Sequence, residues 1–508
     1  MMKQLKWGFA LCYLFTTALT ACKDYSEGVE VDTYEPSRTE LTLDSIFLYA
    51  KEIYFWNDQL PTYEDFAPRA YAASTDDLSI FEEELYDITQ FAINSETGRP
   101  YEYRQGYAGT PKYSFIEENE SNTSAFAVLQ SSYLDGTDDD YGFALTAIAA
   151  NEIRVRYVVT GSTAYKAGIR RGDILIAVGG EEVRADSNAD ITRINSAFDG
   201  DTFELTVMDQ DSVVLNTTLV RSTYTINPVF KDSVLETSAG KVGYLAYSTF
   251  SSLSNSQDVL DEVFAEFAAA NIKDVVIDLR YNGGGYIATA DYLINQIIPS
   301  SLNNRDMYVE RYNELMQGGD ATILENQLLK DANGDNIDYR GRYANYNDLD
   351  YSEDGNTFTF SKEGDLETIE NVYVIISDAT ASASELVINT LKPYLNVILI
   401  GTTSYGKPVG FFGIEIDDYT MYIPNFQTVN SDEEGDYFDG MVPDFEINDD
   451  VTRDFGDTEE SCLATAIAII TGDGTTARSS STSSYSLLHL GNMPHTAVMI
   501  EHRRTLKQ

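Results

Sequence analysis

Histidine is nearly absent from this chain of 508 residues. Its three histidines, His489, His495 and His502, all lie near the end of the sequence, beyond the last apolar pattern that predicts a core element. A Ser-His-Asp or Cys-His mechanism built inside the folded core therefore has no base, and a histidine-rich zinc site is equally excluded. A nucleophile in this chain must be activated by another group, and lysine is a residue type that can do so.

Cysteine and positive charge are also scarce. Of the three cysteines, Cys12 and Cys22 lie in the leader region, so the processed chain offers no pair for an intramolecular disulfide. Cys462 lies in an apolar helical pattern, which predicts a buried packing thiol. The chain has 82 acidic against 34 basic residues and a net charge of −48. Such a charge opposes binding to nucleic acid, so we expect no nucleic-acid partner.

A long hydrophobic run is missing as well. The apolar run at 7–19 follows two lysines and is too short to span a membrane comfortably, but it is typical of a signal peptide, here 1–21. Leu-Thr-Ala before Cys22 resembles a bacterial lipobox, in which this cysteine is lipidated; the alternative is an ordinary signal peptide with a chance cysteine. The lipobox predicts a polar tether at 22–38 and a protein of the cell envelope, lipid-anchored to a bacterial membrane.

The rest of the chain divides by pattern into four parts. Residues 39–134 read as a helical N-terminal domain, and 135–225 as a strand-rich domain. Apolar strands and amphipathic helices alternate over 226–472, which predicts an α/β core with a parallel sheet and a polar insertion at 300–370. Residues 473–508 are rich in serine and threonine and then basic, and we expect them to be a loosely ordered tail.

The strand-rich part resembles a PDZ domain. A strand, a short helix, a Gly-Asp turn and a second strand follow one another in the order of that fold. The resemblance implies an opening loop whose N–H groups receive a peptide's terminal carboxylate, and an edge strand that accepts the peptide by β-augmentation. Alternatively, the glycines serve only as turns and the domain braces the rest of the protein. The expected peptide-binding residues are Tyr141, Gly142, Phe143, Ala144 and Leu145.

A candidate nucleophile lies where a buried strand gives way to a helix. The sequence Ala-Thr-Ala-Ser-Ala-Ser-Glu at 379–385 follows the apolar strand 372–376. A serine at such a turn exposes its hydroxyl at the sheet edge, and the helix N-terminus behind it favours developing negative charge. Both Ser382 and Ser384 fit this position. Either of them could instead be a helix N-cap.

Lys407 is the candidate base. It follows the next predicted strand, 396–400, and adjacent parallel strands would bring it to the same sheet edge as the serines. Its neighbours include Tyr405, Phe411 and Phe412. Apolar burial lowers the pKa of a lysine, and a neutral lysine can accept a serine proton. The alternative is a solvated turn lysine.

A third motif, Asp-Leu-Arg-Tyr-Asn-Gly-Gly-Gly at 278–285, ends a central strand and opens a helix. Glycines there allow backbone N–H groups to face an anion. Phosphate binding is the other use of such a loop, but the lysine of a P-loop is missing, so an anion hole for acyl transfer fits better. The acidic runs at 135–140 and 331–335 lack the spacing of a calcium loop. We expect neither a metal nor a cofactor.

In this order and behind a PDZ-like domain, the motifs resemble the C-terminal processing, or tail-specific, protease family, whose pattern is DLRxNxGG, SASE and YGK. The resemblance implies a multidomain α/β protein in which a ClpP/crotonase-like protease core carries an inserted PDZ-like domain. By that match Ser382 is the nucleophile and Lys407 the general base, and the N–H groups of Ala383 and Gly284 form the oxyanion hole. The implied function is a serine endopeptidase that cleaves exported or unfolded proteins near their C-termini through an acyl-enzyme.

The sequence departs from the family at one position. Many members carry a glutamine four residues after the lysine, which orients it, whereas this chain has Phe411. Another group must then orient Lys407, or the catalytic activity is weakened. The departure leaves an alternative function open, that of a non-catalytic member of the same fold that binds peptides or other ligands.

Overall fold

The computed structural model describes residues 34–72, 76–119, 134–331, 334–473, 489–490, 498–500 and 506–507. The expected signal peptide, Cys22 and most of the expected tether therefore lie outside the described residues. The α-helices are α1 (Arg38–Ile53), α2 (Tyr63–Phe66), α3 (Asp77–Thr89), α4 (Thr163–Ala167), α5 (Asn188–Phe198), α6 (Leu253–Ala270), α7 (Ile287–Ile297), α8 (Glu314–Gly318), α9 (Ala383–Leu391) and α10 (Ser461–Thr471).

Short strands make up most of the remaining regular structure. They are β1 (Phe115–Glu118), β2 (Thr137–Asp140), β3 (Phe143–Ala149), β4 (Glu152–Val158), β5 (Ile174–Val178), β6 (Glu181–Glu182), β7 (Thr202–Met208), β8 (Val214–Val220), β9 (Ser222–Thr225), β10 (Val229–Thr237), β11 (Gly240–Tyr247), β12 (Asp274–Asp278), β13 (Gly284–Tyr286), β14 (Asp306–Tyr312), β15 (Asp338–Tyr339), β16 (Arg342–Tyr343), β17 (Thr357–Thr359), β18 (Asn371–Ile376), β19 (Asn396–Gly401), β20 (Val409–Gly410), β21 (Ile414–Ile416), β22 (Tyr419–Tyr422), β23 (Phe426–Asn430), β24 (Phe445–Glu446), β25 (His489–Leu490) and β26 (Val498–Ile500).

A six-stranded sheet forms the centre of the protein, in the order β10-β11-β12-β18-β19-β24. All its strand pairs are parallel except β10 with β11. The inner strands β12 and β18 are buried along nearly their whole length, which explains why they read as continuous apolar runs. Their carboxyl ends lead into the glycine loop and the serine turn, so both motifs reach one edge of the sheet.

The segment 300–370 is more than a polar insertion. Its strand β14 pairs antiparallel with β23 from Tyr308 opposite Asn430 to Tyr312 opposite Phe426, within a four-stranded sheet ordered β17-β14-β23-β20. The sequence interpretation missed this strand because it is short, includes three charged residues and lies inside a strongly polar stretch. The structure therefore makes this segment part of the protease core.

The PDZ-like part has its own sheet and core. Strands β3, β4, β5, β7 and β8 form successive antiparallel pairs, and Phe143, Phe198 and Phe203 pack beneath them. The acidic run 135–140 contains strand β2, paired antiparallel with β9. This pairing joins the two ends of the domain next to the protease core.

The N-terminal helices do not form a separate core. Ser37 and Glu40 make a capping box at the start of α1, and the buried face of this helix, including Phe47 and Ile53, belongs to the same hydrophobic cluster as the central sheet. Strand β1 pairs antiparallel with β22 of the protease core. The helices and the protease core therefore share one buried interior.

Most of the expected tail at 473–508 lies outside the described residues. Where it is described, strand β25 pairs with β3, β26 pairs with β13, and the N–H of Lys507 donates to Asp348 O at 2.9 Å. Open strand edges offer backbone partners that a polar sequence can use as well as an apolar one. Over the described ranges, no helix combines the length and apolarity needed to cross a membrane.

Candidate active site

The serine turn holds Ser382 in an unusual backbone conformation. Its φ of 64° and ψ of −116° lie in a region that residues other than glycine rarely adopt. The side chain is fully buried. Ser382 is the N-cap of α9 and is arranged as a capping box with Glu385, but Ser382 Oγ makes no hydrogen bond of ordinary geometry to a described residue. A buried hydroxyl without a partner is uncommon and destabilising. Backbone strain such as the positive φ of Ser382 is concentrated at functional sites.

Ser384, the other candidate nucleophile, makes a structural hydrogen bond. Its Oγ donates to the main-chain oxygen of Asn282 at 3.0 Å and so ties helix α9 to the glycine loop. Thr380 reinforces the same connection by donating to Leu279 O at 2.8 Å. The two serines that the sequence left open therefore differ in their surroundings, since only Ser382 presents an unoccupied hydroxyl.

Lys407 is completely buried beside aromatic rings. Its Nζ lies 4.1 Å from the ring centroid of Phe411 and 5.9 Å from that of Tyr113. This burial lowers the pKa of Lys407 from 10.5 to about 7, although the charges of Glu102 and Glu385 act in the opposite direction. A large part of this lysine is then the neutral amine at neutral pH, which is the form that can accept a proton.

Glu385 brings the serine turn and the lysine turn together. Its Oε2 accepts hydrogen bonds from the backbone N–H groups of Ser382 and Lys407, both at 2.8 Å, and Oε1 accepts from Gly406 N at 2.7 Å and Ser404 Oγ at 2.5 Å. Burial raises the pKa of Glu385, and the four hydrogen bonds oppose that rise. Because one carboxylate oxygen receives both N–H groups, the backbones of Ser382 and Lys407 lie close together, although Ser382 Oγ makes no hydrogen bond to Lys407 Nζ in this structure.

Sequence reasoning assigned no role to Glu385, although the residue ends the SASE motif. It also found no chemistry in the N-terminal part, where Tyr113 and Glu102 prove to belong to the surroundings of the lysine. Tyr113 Oη donates to Gly406 O at 2.6 Å, and the buried carboxylate of Glu102 accepts the N–H groups of Tyr113 and Ser114 at 3.1 and 2.7 Å. No local pattern around residue 102 indicates this, because the contact depends on the tertiary fold.

The two expected oxyanion donors lie in different environments. Ala383 begins α9, so its N–H belongs to the first helical turn, where no intrahelical acceptor exists. The N–H of Gly284 donates to Asn282 Oδ1 at 2.9 Å and is engaged in this structure. Gly285 has a φ of +140°, and a Cβ there would lie 2.1 Å from Phe250 O, so only glycine fits. Whether Gly284 acts as an oxyanion donor thus depends on its release from Asn282.

A buried ionic network supports the glycine loop from below. The Arg280 guanidinium donates to Asp278, Asp449 and Glu460, and Arg171 of the PDZ-like part donates to Tyr281 Oη and to Asp449 Oδ1, both at 2.7 Å. Burial raises the pKa of Asp449, but the charges of Arg171 and Arg280 hold this pKa well below its usual value. The loop is therefore rigidly connected to the PDZ-like part.

The five expected peptide-binding residues have different roles in the structure. Tyr141 is buried, and its hydroxyl donates to Gly200 O at 2.6 Å; the N–H of Gly142 donates to Asp140 Oδ1 at 2.6 Å. Phe143 and Ala144 pair with β4, and Leu145 lies opposite Leu490 of β25. Leu145 therefore lies on the edge of β3 that pairs with β25.

Other expectations concern cysteine and metals. Cys462 is a buried free thiol in α10, which confirms its packing role. In the parts of the chain that the structure describes, no group of three or more histidine, cysteine, aspartate and glutamate side chains is arranged to hold a metal ion.

Known families and structures resemble this architecture. The family model of peptidase family S41 matches residues 241–447, and that of the PDZ domain matches 154–207. These spans contain the glycine loop, the serine turn, the lysine turn and most of the small sheet. The protease core of this chain thus matches peptidase family S41, and its small sheet matches the PDZ domain. The family recognised from the motifs is therefore confirmed.

Named relatives point to the same family. The chain is 26% identical over 259 residues to the chloroplastic C-terminal processing peptidase of Tetradesmus obliquus, covering 49% of this chain and 46% of that one. It is 22% identical over 267 residues to the carboxy-terminal processing protease CtpA of Bacillus subtilis, covering 53% and 47%. The chain spans about half the length of these relatives.

A solved structure supports the fold. The crystal structure of an S41 protease from Bacteroides fragilis aligns with a TM-score of 0.55 and 22% identity, covering 87% of this chain and 99% of that one. The expected fold class, an α/β protease core with a PDZ domain, is confirmed.

Proposed function

We propose that this protein is a serine endopeptidase in which Ser382 is the nucleophile and Lys407 the general base. The proposal is supported by Glu385, whose carboxylate accepts the backbone N–H groups of Ser382 and Lys407. The serine has an unpartnered hydroxyl, and the lysine is fully buried with a pKa lowered to about 7. A nucleophile and a base are the two groups that acyl transfer requires. The family match supports a peptidase.

Acylation follows from these positions. Lys407 Nζ accepts the proton of Ser382 Oγ while that oxygen bonds to the substrate's carbonyl carbon. The resulting oxyanion is stabilised by the positive end of α9 and the Ala383 N–H, and by the Gly284 N–H once Asn282 releases it. The carbon–nitrogen bond then breaks, and Lys407 gives its proton to the leaving amine. Water attacks the ester through the same base and returns the proton to Ser382.

The PDZ domain supplies a second peptide site on the same molecule. The edge of β3 accepts an antiparallel strand beside α5, which is the β-augmentation mode of PDZ domains. We propose that exported or unfolded protein segments bind there and that cleavage falls near their C-termini. Peptides that differ only in a free or amidated C-terminus test this preference, and equal cleavage of both would remove it.

The decisive experiment compares the full chain with Ser382→Ala, Lys407→Met and Ser384→Ala on an unfolded protein and on quenched-fluorescence peptides. Cleavage should be lost in the first two variants and retained in Ser384→Ala, because Ser384 only ties α9 to Asn282. If the parent chain binds peptide but does not cut it, the protein is a peptide-binding member of the fold. If Ser382→Ala still cuts, the proposed nucleophile is wrong.

We also propose that the chain is exported and lipid-anchored through Cys22 at a bacterial membrane. The support is the leader pattern of the sequence, which lies outside the described residues. Expression in a bacterium with radiolabelled palmitate should label the parent and not Cys22→Ser. Equal labelling of both would refute the anchor.

A further inference from the structure

Strand β26 of the chain itself lies between β13, which begins within the glycine loop, and Phe411, which follows the lysine turn. It pairs in parallel with β13, with Val498 opposite Gly284, Met499 opposite Gly285 and Ile500 opposite Tyr286. Gly284 is the expected oxyanion donor, so β26 runs along the strand that would face a substrate's reacting carbonyl.

The other side of β26 is also bound. The N–H of Phe411 donates to Met499 O at 3.2 Å, and the ring of Phe411 lies 4.1 Å from Lys407 Nζ. The Met499 side chain is fully buried. An extended segment with main-chain hydrogen bonds on one edge and a buried side chain is bound as a peptide substrate would be.

Strand β25, a few residues earlier, occupies the PDZ domain. His489 lies opposite Thr146 and Leu490 opposite Leu145, in antiparallel pairing on the free edge of β3, and helix α5 lies beside it. This is the position in which a PDZ domain accepts a peptide. Two described segments near the end of the chain thus pair with the edge of β3 and with β13, the two strands expected to receive peptides.

The intervening chain and its charge are consistent with one continuous occupant. Val498 follows Leu490 by eight positions, and an extended chain of that length reaches about 28 Å at most. Residues 489–508 carry Arg503, Arg504 and Lys507 against the single acidic residue Glu501, whereas the whole chain has a net charge of −48. A basic segment is attracted to an acidic body, and such complementarity favours docking.

We propose that β25 and β26 form an internal pseudosubstrate, which substrate must displace from both the PDZ domain and the cleft. The effect of this internal pseudosubstrate on catalysis rests on the proposed function, but its binding to β3 and β13 does not. Strand β25, which pairs with the PDZ domain, precedes β26 in the sequence. Because the chain continues beyond β25, this strand presents no terminal carboxylate to the loop at Gly142. Inhibition therefore depends on strand pairing and on the Met499 side chain.

The expected size of the effect follows from tethering. A segment attached to the same molecule acts at an effective concentration of about 1 mM. If the free peptide binds with a Kd of about 0.1 mM, the tethered strand keeps the cleft about 90% occupied, and its release raises kcat/KM about tenfold.

The test uses the full chain with Met499→Lys, which introduces a charge that cannot be buried, and Val213→Lys on an exposed hairpin position as the matched control. Met499→Lys should increase kcat/KM on a short peptide by about tenfold, while Val213→Lys leaves it unchanged. Met499→Ala, which removes only side-chain packing, should give a smaller increase and serves if Met499→Lys fails to fold.

A binding measurement separates this inference from the proposed function. A labelled peptide of residues 486–503 is titrated into the full-chain double variant Ser382→Ala, Met499→Lys, beside the same peptide with Met499 replaced by lysine. Tighter binding of the natural peptide supports the pseudosubstrate even if no variant shows proteolysis. Absence of binding, or a folded Met499→Lys protein no more active than an active parent, would overturn it.

Discussion

The clearest quantitative prediction concerns the pH dependence of catalysis and its control by Phe411. Lys407 acts as a base only when neutral, and burial lowers its pKa to about 7. Activity should therefore be low below this value, half-maximal near it and constant above about pH 8. Replacing Phe411 by glutamine puts a carboxamide in place of a ring whose centroid is 4.1 Å from the ammonium nitrogen.

The magnitude follows from the interactions exchanged. A carboxamide oxygen that accepts a hydrogen bond from the ammonium stabilises the charged form by about 1.5–3 kcal/mol. The lost cation–π contact had stabilised the same form by about 1–2 kcal/mol. The net gain of about 1 kcal/mol raises the pKa of Lys407 by roughly one unit. Phe411→Gln should then be about fivefold less active than the parent at pH 7, relative to its own plateau.

The assay is kcat/KM on a peptide without titratable groups, measured from about pH 5.5 to 9.5 at constant ionic strength, since this parameter reports the free enzyme. Phe411→Leu is the control, because an apolar side chain offers no hydrogen bond and the midpoint should not rise. A parent rate that still rises tenfold per pH unit above pH 8 would show that the base has an ordinary lysine pKa. An unmoved midpoint in Phe411→Gln would refute the role given to the ring.

Three further changes test the support of the site. Glu385→Gln should lower kcat at least about 100-fold with little change in KM, because an amide cannot accept all four hydrogen bonds that position the dyad. The control is Glu84→Gln, which changes a buried glutamate whose oxygens have no partner among the described residues. This variant should leave kcat unchanged. Ser382→Gly should be about 1–2 kcal/mol more stable to urea than the equally inactive Ser382→Ala, because only glycine relieves the positive φ, and equal stability would contradict the strain. Arg171→Met should lower the free energy of unfolding by about 3 kcal/mol, since it leaves Asp449 buried with one cation fewer, and a loss below about 1 kcal/mol would contradict the network.

The parts of the site that sequence reasoning located are those tied to strand ends. The motifs around Gly284, Ser382 and Lys407 each follow a short apolar run, and parallel strands bring their carboxyl ends to one sheet edge. Because the apolar core pattern contains no histidine, lysine is the base that the sequence itself indicates. These inferences need only local patterns and one topological rule.

The remaining parts depend on contacts between residues far apart in the chain. Glu102 and Tyr113 approach the lysine turn from the N-terminal part, and nothing near them in sequence marks that approach. Strand β14 is largely buried although it includes charged residues and lies in a polar stretch, and β26 is only three residues long. Such elements take their conformation from the open strand edges they pair with, which composition and periodicity do not reveal.

Three energetically unfavourable features occur around the Glu385 carboxylate, and a protein that only binds peptides on this fold would need none of them. Keeping Lys407 neutral at a pKa of about 7 corresponds to roughly 5 kcal/mol against its ordinary ionisation, and the backbone of Ser382 stores about 1–3 kcal/mol of strain. The Ser382 hydroxyl is also buried without a described partner. A peptide groove needs none of these, since β3 and β13 accept strands through their backbones alone. The proposed acyl transfer needs a neutral base and an unoccupied hydroxyl, and Glu385 holds the backbones of both candidate residues.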